Sequence, residues 1–223
     1  IASGLRADLV LVAGDPASDI TATRNIVRVW KAGRPVERPT VAPAASTAAR
    51  PPAPLPAGGK ISDFDDGKLT AAFGSGWAPS TDAIAGGKST VEHAVAEGGA
   101  EGSRHALEIW GAIRPGFTFP WAGMIFFPGS GPMEPADLSG AKELVFWSKG
   151  DGKTYQVMLF ATSLGRMPAQ QSFTAGPEWT RHAIPLSQFG LDGRDVTGFF
   201  FGGGPAPADF RFRIDGVRLS PGR

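Results

Sequence analysis

The sequence predicts an all-β protein whose main domain is an antiparallel jelly-roll β-sandwich. Apolar and polar residues alternate in Arg104–Ile113 and again in Tyr155–Ala161, which is the pattern of half-buried strands. Further strand-like runs follow at short intervals, separated by turns rich in Gly, Pro and Asp. No segment keeps the period of an amphipathic helix. About nine or ten strands at this spacing favour one sandwich, and two separate β-hairpin domains are the alternative.

The alternation assigns side chains to the two faces of each strand. In the first strand, Glu108 and Trp110 lie opposite the face that carries Ile109. In the second, Gln156 lies opposite Tyr155. The other strand candidates are Ser89–Glu97, Met124–Phe127, Glu143–Lys149, Gln170–Thr174, Thr180–Leu186, Val196–Phe201 and Phe210–Leu219. In the last of these the apolar positions change parity at Asp215-Gly216, which predicts a β-bulge.

Composition narrows the class of protein. The chain has 223 residues, of which 42% are hydrophobic, and that is enough for a real core. Lys and Arg number 22 against 21 for Asp and Glu, so neither nucleic acid nor an anionic membrane is a predicted partner. No apolar run reaches the roughly 18 residues of a transmembrane helix. The absence of Cys excludes disulfides, thiol catalysis and Cys-based zinc sites.

Residues 1–38 form a separate segment with three strand-like runs: Leu9–Val12, Ile26–Trp30 and the stretch at Val36. So few strands cannot bury an apolar face by themselves. The stretches ADLVLVAGDPASDI (7–20) and RNIVRVWKAGRPV (24–36) resemble the C-terminal end of the amidohydrolase superfamily, in its imidazolonepropionase-like and prolidase-like branch. The resemblance implies that the segment completes a small β-sandwich beside a metal-bearing barrel.

The same resemblance places the chemistry outside this chain. The family's metal-binding histidines, and with them any zinc-type metal, belong to the upstream barrel. The barrel of a parent amidohydrolase is therefore the expected intramolecular partner, and this chain alone is not expected to be an enzyme.

The composition of residues 39–60 predicts a linker, because they are almost entirely Pro, Ala, Gly and other small residues. Such a composition cannot bury apolar area and favours extended, polyproline-like backbone. The alternative is a proline-rich ligand for a recognition domain, formed by Arg50–Pro54. The linker is expected to lack regular secondary structure.

The third segment, residues 61–223, carries a second resemblance. Its motifs are DFDDG (63–67), GGKST (86–90), PWAGMIFFPG (120–129), DLSGAKELVFWSKGDGKTYQVMLF (137–160), FTAGPEWTRHAIPLSQFG (173–190) and FRFRIDGVRL (210–219). In this order they resemble the complex I intermediate-associated protein family. The resemblance implies a galactose-binding-like jelly roll over residues 61–219. It also implies, for the mitochondrial members, a role in assembling respiratory complex I.

No catalytic residues are assigned within this domain. Ser139 and Lys142 match the S-x-x-K pattern of penicillin-binding proteins, but they precede a strand and their companion motifs are missing. His93, His105 and His182 lie on three separate strands without a carboxylate at ligand spacing. They are expected at the surface or rim rather than as zinc ligands.

A structural calcium ion is one site hypothesis. Asp63 and Asp65 crowd the start of the domain and Asp215 lies at the predicted bulge. Calcium takes six to eight oxygen ligands, which these carboxylates and nearby loop carbonyls could supply. The alternative is that they are turn aspartates that accept backbone N–H groups.

A ligand face is the other site hypothesis. Aromatic platforms flanked by polar side chains are suited to stacking sugars. The candidate ligand-binding residues are Trp110, Trp121, Trp147, Glu108, Gln156 and Gln171. The alternative is that the Trp side chains fill a thin core or pack on the parent barrel.

Three functions follow from these patterns. The first is a non-catalytic accessory or interaction module at the C-terminus of a bacterial metal-dependent amidohydrolase. The second is a module that binds a carbohydrate or another small polar ligand. The third is an assembly chaperone for a membrane redox complex. A fold alone does not rank them, because functions depend on sites.

Overall fold

The computed structural model describes residues 8–18, 20–24, 26–36, 55–165 and 167–220. The chain divides into two compact units, Ile1–Ala49 and Arg50–Arg223. Each unit is described by itself.

The first unit contains a small antiparallel sheet of three strands. Strand β1 (Leu9–Val12) pairs with β2 (Ile26–Lys31), and β2 continues through a tight turn into β3 (Arg34–Pro35). A 3-10 turn at Ile20–Arg24 precedes β2. Ala32 and Gly33 both have positive φ in the hairpin turn, a conformation that glycine adopts without strain. The two longer strand predictions for this segment are confirmed.

The second unit is a sandwich of two antiparallel sheets. The five-stranded sheet has the order β11-β10-β13-β8-β5, and the six-stranded sheet has the order β12-β9-β14-β7-β6, with β4 also paired to β14. The strands are β4 (Lys60–Ser62), β5 (Gly76–Thr81), β6 (Thr90–Glu97), β7 (His105–Ile113), β8 (Ala122–Phe127), β9 (Glu143–Gly150), β10 (Thr154–Ala161), β11 (Ala169–Thr174), β12 (Thr180–Pro185), β13 (Val196–Gly203) and β14 (Ala208–Ser220). The helical segments of the described part of the chain are short 3-10 turns. The predicted all-β sandwich is confirmed, and the alternative of two hairpin domains is wrong.

Aromatic rings from both sheets fill the space between them. Tyr155 of β10 lies 4.2 Å from the ring of Phe212 on β14, and Phe146 of β9 makes edge contacts with Phe173 and Phe201, each at 5.1 Å. All five side chains are buried. This packing explains the alternation in the sequence, since each strand sends every second side chain into the core.

The predicted bulge in β14 is confirmed. Gly216 has a φ of 54° and the pairing of β14 with β9 shifts between Asp215 and Arg218. The extra residue returns Val217 and Leu219 to the core after the change of parity.

The sandwich begins earlier than the sequence indicated. Residues Ala57–Gly59 form a 3-10 turn and β4 begins at Lys60, pairing with β14 near Val217. The C-terminal end of the predicted linker is therefore part of the domain, because Ile61 must be buried beside the last strand. The linker residues 39–54, including the Arg50–Pro54 motif, lie outside the described residues.

Candidate functional site

The outward face of the five-stranded sheet carries uncharged side chains, and we call it the neutral face. Strand register aligns these side chains in two central rows. One row is Ser172, Gln156, Gly202, Gly123 and Ser80. The next is Gln170, Met158, Phe200, Ile125 and Ala78. Neither row contains an ionisable group, so these rows can bind a ligand but offer no acid, base or carboxylate nucleophile.

Glycines shape the middle of the neutral face. A Cβ on Gly202 would come within 2.3 Å of Cζ of Phe200, and a Cβ on Gly123 within 2.8 Å of the same atom. The Phe200 ring therefore extends over the bare backbone of two neighbouring strands. It is 1% exposed although it points away from the main core. The ring is therefore a buried apolar floor beneath the neutral face, with amide and hydroxyl groups on either side.

Trp121 borders the neutral face at the start of β8. Its indole Nε1 donates to Oγ of Ser80 at 3.1 Å, and its ring meets Phe117 edge-on at 5.7 Å. The ring is half-buried, while neighbouring Phe119 is exposed. Trp121 is thus fixed in orientation with part of its surface still accessible.

Gln156 adds an unsatisfied polar atom to the same face. Its Oε1 is buried and has no hydrogen-bond partner in the described part of the chain. An unpaired buried acceptor costs free energy of about 1–3 kcal/mol. Gln156 as a whole is half-buried, so the rest of its side chain borders the surface of the neutral face.

The outward face of the six-stranded sheet has a different character, and we call it the cationic face. Nε of Arg211 and Nε of Arg213 both donate to Oε1 of Glu108, at 3.0 and 3.1 Å. The hydrogen bond from Arg211 is the main reason that the pKa of Glu108 lies below its ordinary value. The Arg211 guanidinium also lies 5.6 Å from the centre of the Trp110 ring, in a cation–π contact.

Trp147 lies on the cationic face as well, opposite Asp215 in the register of β9 and β14. A Cβ on Gly216 would be 3.3 Å from Cδ1 of Trp147, so the indole packs against the backbone of the bulge. The bulge therefore provides the space in which this ring lies against the sheet.

The six predicted ligand-binding residues do not form one site. Trp110, Glu108 and Trp147 belong to the cationic face, whereas Trp121 and Gln156 belong to the neutral face on the other side of the sandwich. Gln171 lies opposite core residue Val157, and its amide Nε2 donates to the carbonyl of Gln188 at 2.9 Å. This bond ties the edge of β11 to a 3-10 turn, which explains why Gln171 does not point outward.

The three predicted calcium ligands are only partly brought together. Asp65 accepts hydrogen bonds from Oγ of Ser103 at 2.8 Å and from the backbone N–H of Arg104 at 2.7 Å, and the Ser103 bond is the main cause of its lowered pKa. Asp63 instead pairs with Lys60. Within the described ranges, no three His, Asp or Glu side chains are placed to hold a metal ion.

Asp215 lies near Asp65 but is buried by the loop that follows β6. Its two oxygens accept backbone N–H groups, from Ala100 at 2.8 Å and from Gly216 at 2.6 Å. Burial raises the pKa of Asp215. The oxygens of Asp65 and Asp215 already accept hydrogen bonds from donors within the protein. The geometry therefore favours internally hydrogen-bonded carboxylates over calcium ligands. Chelation tests whether calcium binds here.

The histidines occupy three different environments. His93 is exposed on β6, and His105 is half-buried at the start of β7, where its Nδ1 has no hydrogen-bond partner among the described residues. His182 lies on the core-facing side of β12, stacked on Phe146 at 4.9 Å with Nε2 2.8 Å from Oγ of Ser148, and burial lowers its pKa. His182 is half-buried on the edge strand β12, so it lies at the rim as predicted, with its ring turned toward the core.

A cleft of about 530 Å³ lies where the S-x-x-K residues precede β9. Ser139 and Lys142 line it together with Leu186, Asp192 and Arg194. Two of the charged residues that line it, Asp192 and Arg194, pair with each other at 3.2 Å. Ser139 lies in a turn, where its backbone N–H donates to Asp137, and not on a helix as in the penicillin-binding pattern.

Residues 63–197 match the family model of Complex I intermediate-associated protein 30 (CIA30). This match spans more than half of the chain. The chain belongs to the CIA30 family. Its CIA30 domain is the sandwich described above, and the predicted membership and jelly-roll fold are confirmed.

Solved structures show the same fold at low sequence identity. The family 11 carbohydrate-binding module of a cellulosomal cellulase from Clostridium thermocellum is 15% identical, with a TM-score of 0.53 over 72% of this chain and 92% of the module. An exo-β-agarase is 12% identical, with a TM-score of 0.51 over 74% of this chain and 25% of the agarase. No curated protein matches this CIA30-family chain. No helix in its described residues is long and apolar enough to span a membrane.

Proposed function

We propose that this CIA30-family chain is a carbohydrate-binding module that holds a neutral glycan on the neutral face. The observation that carries the proposal is the placement of two half-buried side chains, the Trp121 indole and the Gln156 amide, on one uncharged face beside the apolar floor of Phe200. The fold shared with a carbohydrate-binding module and with an agarase supports it.

A sugar offers both of the surfaces that this face can contact. Its C–H faces pack on aromatic and apolar side chains, here Trp121, Phe117 and Met158. Its hydroxyls can exchange hydrogen bonds with the half-buried amide of Gln156 and with exposed Ser172 and Gln170. Neither central row carries an ionisable group, so such binding should be insensitive to salt.

Affinity electrophoresis of the full chain tests the proposal. Gels containing hydroxyethylcellulose or galactan should retard the protein relative to an empty gel, and added salt should leave the retardation unchanged. Changing Gln156→Ala should reduce the retardation, whereas Gln171→Ala on the same sheet should not, because Gln171 points inward. Unretarded migration with both polymers and a blank result on a wider set of neutral glycans would contradict the proposal.

A second candidate function is docking of the first unit to an amidohydrolase barrel. Its three-stranded sheet leaves apolar residues uncovered on both faces: Val10 and Val27 are each 60% exposed, and Leu9 and Leu11 lie exposed on the other side of β1. Apolar exposure on two faces is typical of a piece that needs a covering layer. This supports the proposal that the segment completes the small sandwich of a parent amidohydrolase.

Dye binding tests the second candidate. The 223-residue chain should bind a fluorescent apolar probe, and Val10→Lys with Val27→Lys should remove most of that signal without changing the melting of the CIA30 domain. A wild-type chain that binds no probe would show that these faces are already covered.

A further inference from the structure

The middle of the cationic face exposes its positive charges and buries its negative ones. The side chains of Arg211 and Arg213 are 65% and 31% exposed, while that of Glu108, which lies between them, is 10% exposed. Asp215, the other carboxylate in the middle of the face, is 1% exposed. An approaching ligand therefore meets guanidinium groups rather than the carboxylates that hold them.

The two guanidinium groups are held in place before any ligand binds. Glu108 accepts a hydrogen bond from the Nε of each arginine, and Nη1 of Arg213 donates to the carbonyl of Glu97 at 3.0 Å. The terminal nitrogens of Arg211 remain available for an oxyanion. A fixed guanidinium loses less side-chain entropy on binding than a free one, and it favours planar oxyanions such as carboxylates.

Strand register adds further cations to this pair. Lys149 lies opposite Arg213 across β9 and β14, and Arg181 lies opposite Trp147 across β12 and β9. Neither Lys149 nor Arg181 forms an ion pair with another described residue. Rows of side chains on one face of a sheet are about 6.8 Å apart along the strand. The cations therefore form successive rows, and exposed acidic residues lie at the margins: Glu92 opposite Trp110, and Asp209, which pairs with Arg114.

Trp147 lies among these cations. Its ring packs over Gly216, with Arg181 in the same row and Lys149 in the next. A flat aromatic surface beside two cations fits a sugar ring that carries a carboxylate, because the ring can stack while the carboxylate meets the cation. An acidic peptide would pair with the cations, but it has no flat sugar ring to stack on the indole of Trp147.

From this arrangement we infer that the cationic face binds an acidic polysaccharide with a carboxylate on successive sugars. Arg211, Arg213, Lys149 and Arg181 receive the carboxylates, and Trp147 stacks on a sugar ring. This goes beyond the proposed function and uses the opposite side of the sandwich. Experiments can therefore refute the proposed binding at one face without affecting the proposal for the other.

Native electrophoresis of the full chain in gels containing polygalacturonate tests the inference. The wild-type protein should be retarded and added salt should release it, unlike binding to neutral polymers. The double change Lys149→Ala with Arg181→Ala should weaken binding about tenfold, as expected for the loss of two charge-assisted contacts. Lys88→Ala with Lys142→Ala removes the same charge from exposed positions elsewhere and should leave binding unchanged.

The stacking contribution needs its own variant. Trp147→Ala should weaken polygalacturonate binding with all cations in place, and Trp147→Phe should restore part of it. If polyglutamate retards the wild type as strongly as polygalacturonate, the sugar assignment is wrong and an acidic protein is the partner. No retardation by polygalacturonate, or equal loss in the two double variants, would overturn the site itself.

Discussion

The ring of Phe200 lies directly over Gly202, its neighbour two residues along the same strand and face. Cζ of Phe200 is 2.3 Å from the position that a Cβ on Gly202 would occupy, and the carbonyl oxygen of Ala122 on β8 is 2.4 Å from that position. The glycine is thus required by two neighbours at once, one of which is backbone and cannot rotate away. This relationship forms the apolar floor of the neutral face.

Changing Gly202→Ala should therefore destabilise the CIA30 domain. Because the added methyl group must displace Phe200 and strand β8, we expect a loss of about 1–3 kcal/mol in the free energy of unfolding. Chemical denaturation followed by Trp fluorescence measures it. Gly140→Ala is the matched control, since nothing lies within 4 Å of its Cβ position and it should be nearly neutral. Equal stability of the two variants would mean that Phe200 does not lie over Gly202.

The sequence predicted most of the sandwich because its central strands alternate. The alternation of β7 placed Glu108 and Trp110 on the outer face, and the parity change in β14 located the bulge at Gly216. Strand β5 was missed, because it is an edge strand that contains Pro79 and has no clear alternation.

The candidate site was harder to predict than the fold. Outward position on a strand follows from parity, but parity does not say which of the two sheets a strand joins. Trp121 and Trp147 were therefore grouped together although they lie on opposite sides of the sandwich. Phe200 was missed because it lies in the apolar run Phe199–Phe201 of a strand that is buried on both faces, which conceals the alternation.

The hydrogen bonds to Glu108 should contribute measurably to stability at neutral pH. Changing Glu108→Gln removes the charge that both arginines face, so we expect a loss of about 1–3 kcal/mol. The folded-state pKa of Glu108 is depressed, so its contribution is present above the ordinary value of 4.5 and is lost as pH falls through the folded pKa.

Melting temperatures as a function of pH check this sign. The gap between wild type and Glu108→Gln should be wide at neutral pH and should narrow in acid below about pH 4.5. Glu178→Gln, at an exposed position, serves as the control and should follow the wild type throughout. A gap that stays constant with pH would show that ionisation of Glu108 contributes nothing.

Chelation should leave the melting temperature unchanged. The oxygens of Asp65 and Asp215 already accept N–H and O–H donors, and Asp63 pairs with Lys60, so the native state gains little from an added cation. An ion that binds only the native state would stabilise it by mass action. A fall in melting temperature with EDTA, reversed by excess calcium, would establish a calcium site here and correct this reading of the carboxylates.

Limited proteolysis should cut first within residues 39–56. A Pro- and Ala-rich sequence has few large apolar side chains to bury, whereas Ile61 is buried and belongs to a paired strand. Mass spectrometry of the early fragments locates the first cut. A first cut inside residues 61–220 would contradict the division of the chain into two units.

Binding of the full chain to an array of neutral oligosaccharides, compared among wild type, Trp121→Ala and Trp110→Ala, tests the central claim most directly. Trp121 borders the neutral face and Trp110 lies on the opposite side of the sandwich. The two variants therefore each remove one Trp side chain, but from different faces. Wild type should bind at least one neutral glycan, Trp110→Ala should keep that signal, and Trp121→Ala should lose most of it while still melting cooperatively. A folded Trp121→Ala variant that binds as wild type does, or a wild-type chain that binds no neutral glycan, would contradict the claim that the neutral face is a carbohydrate-binding site.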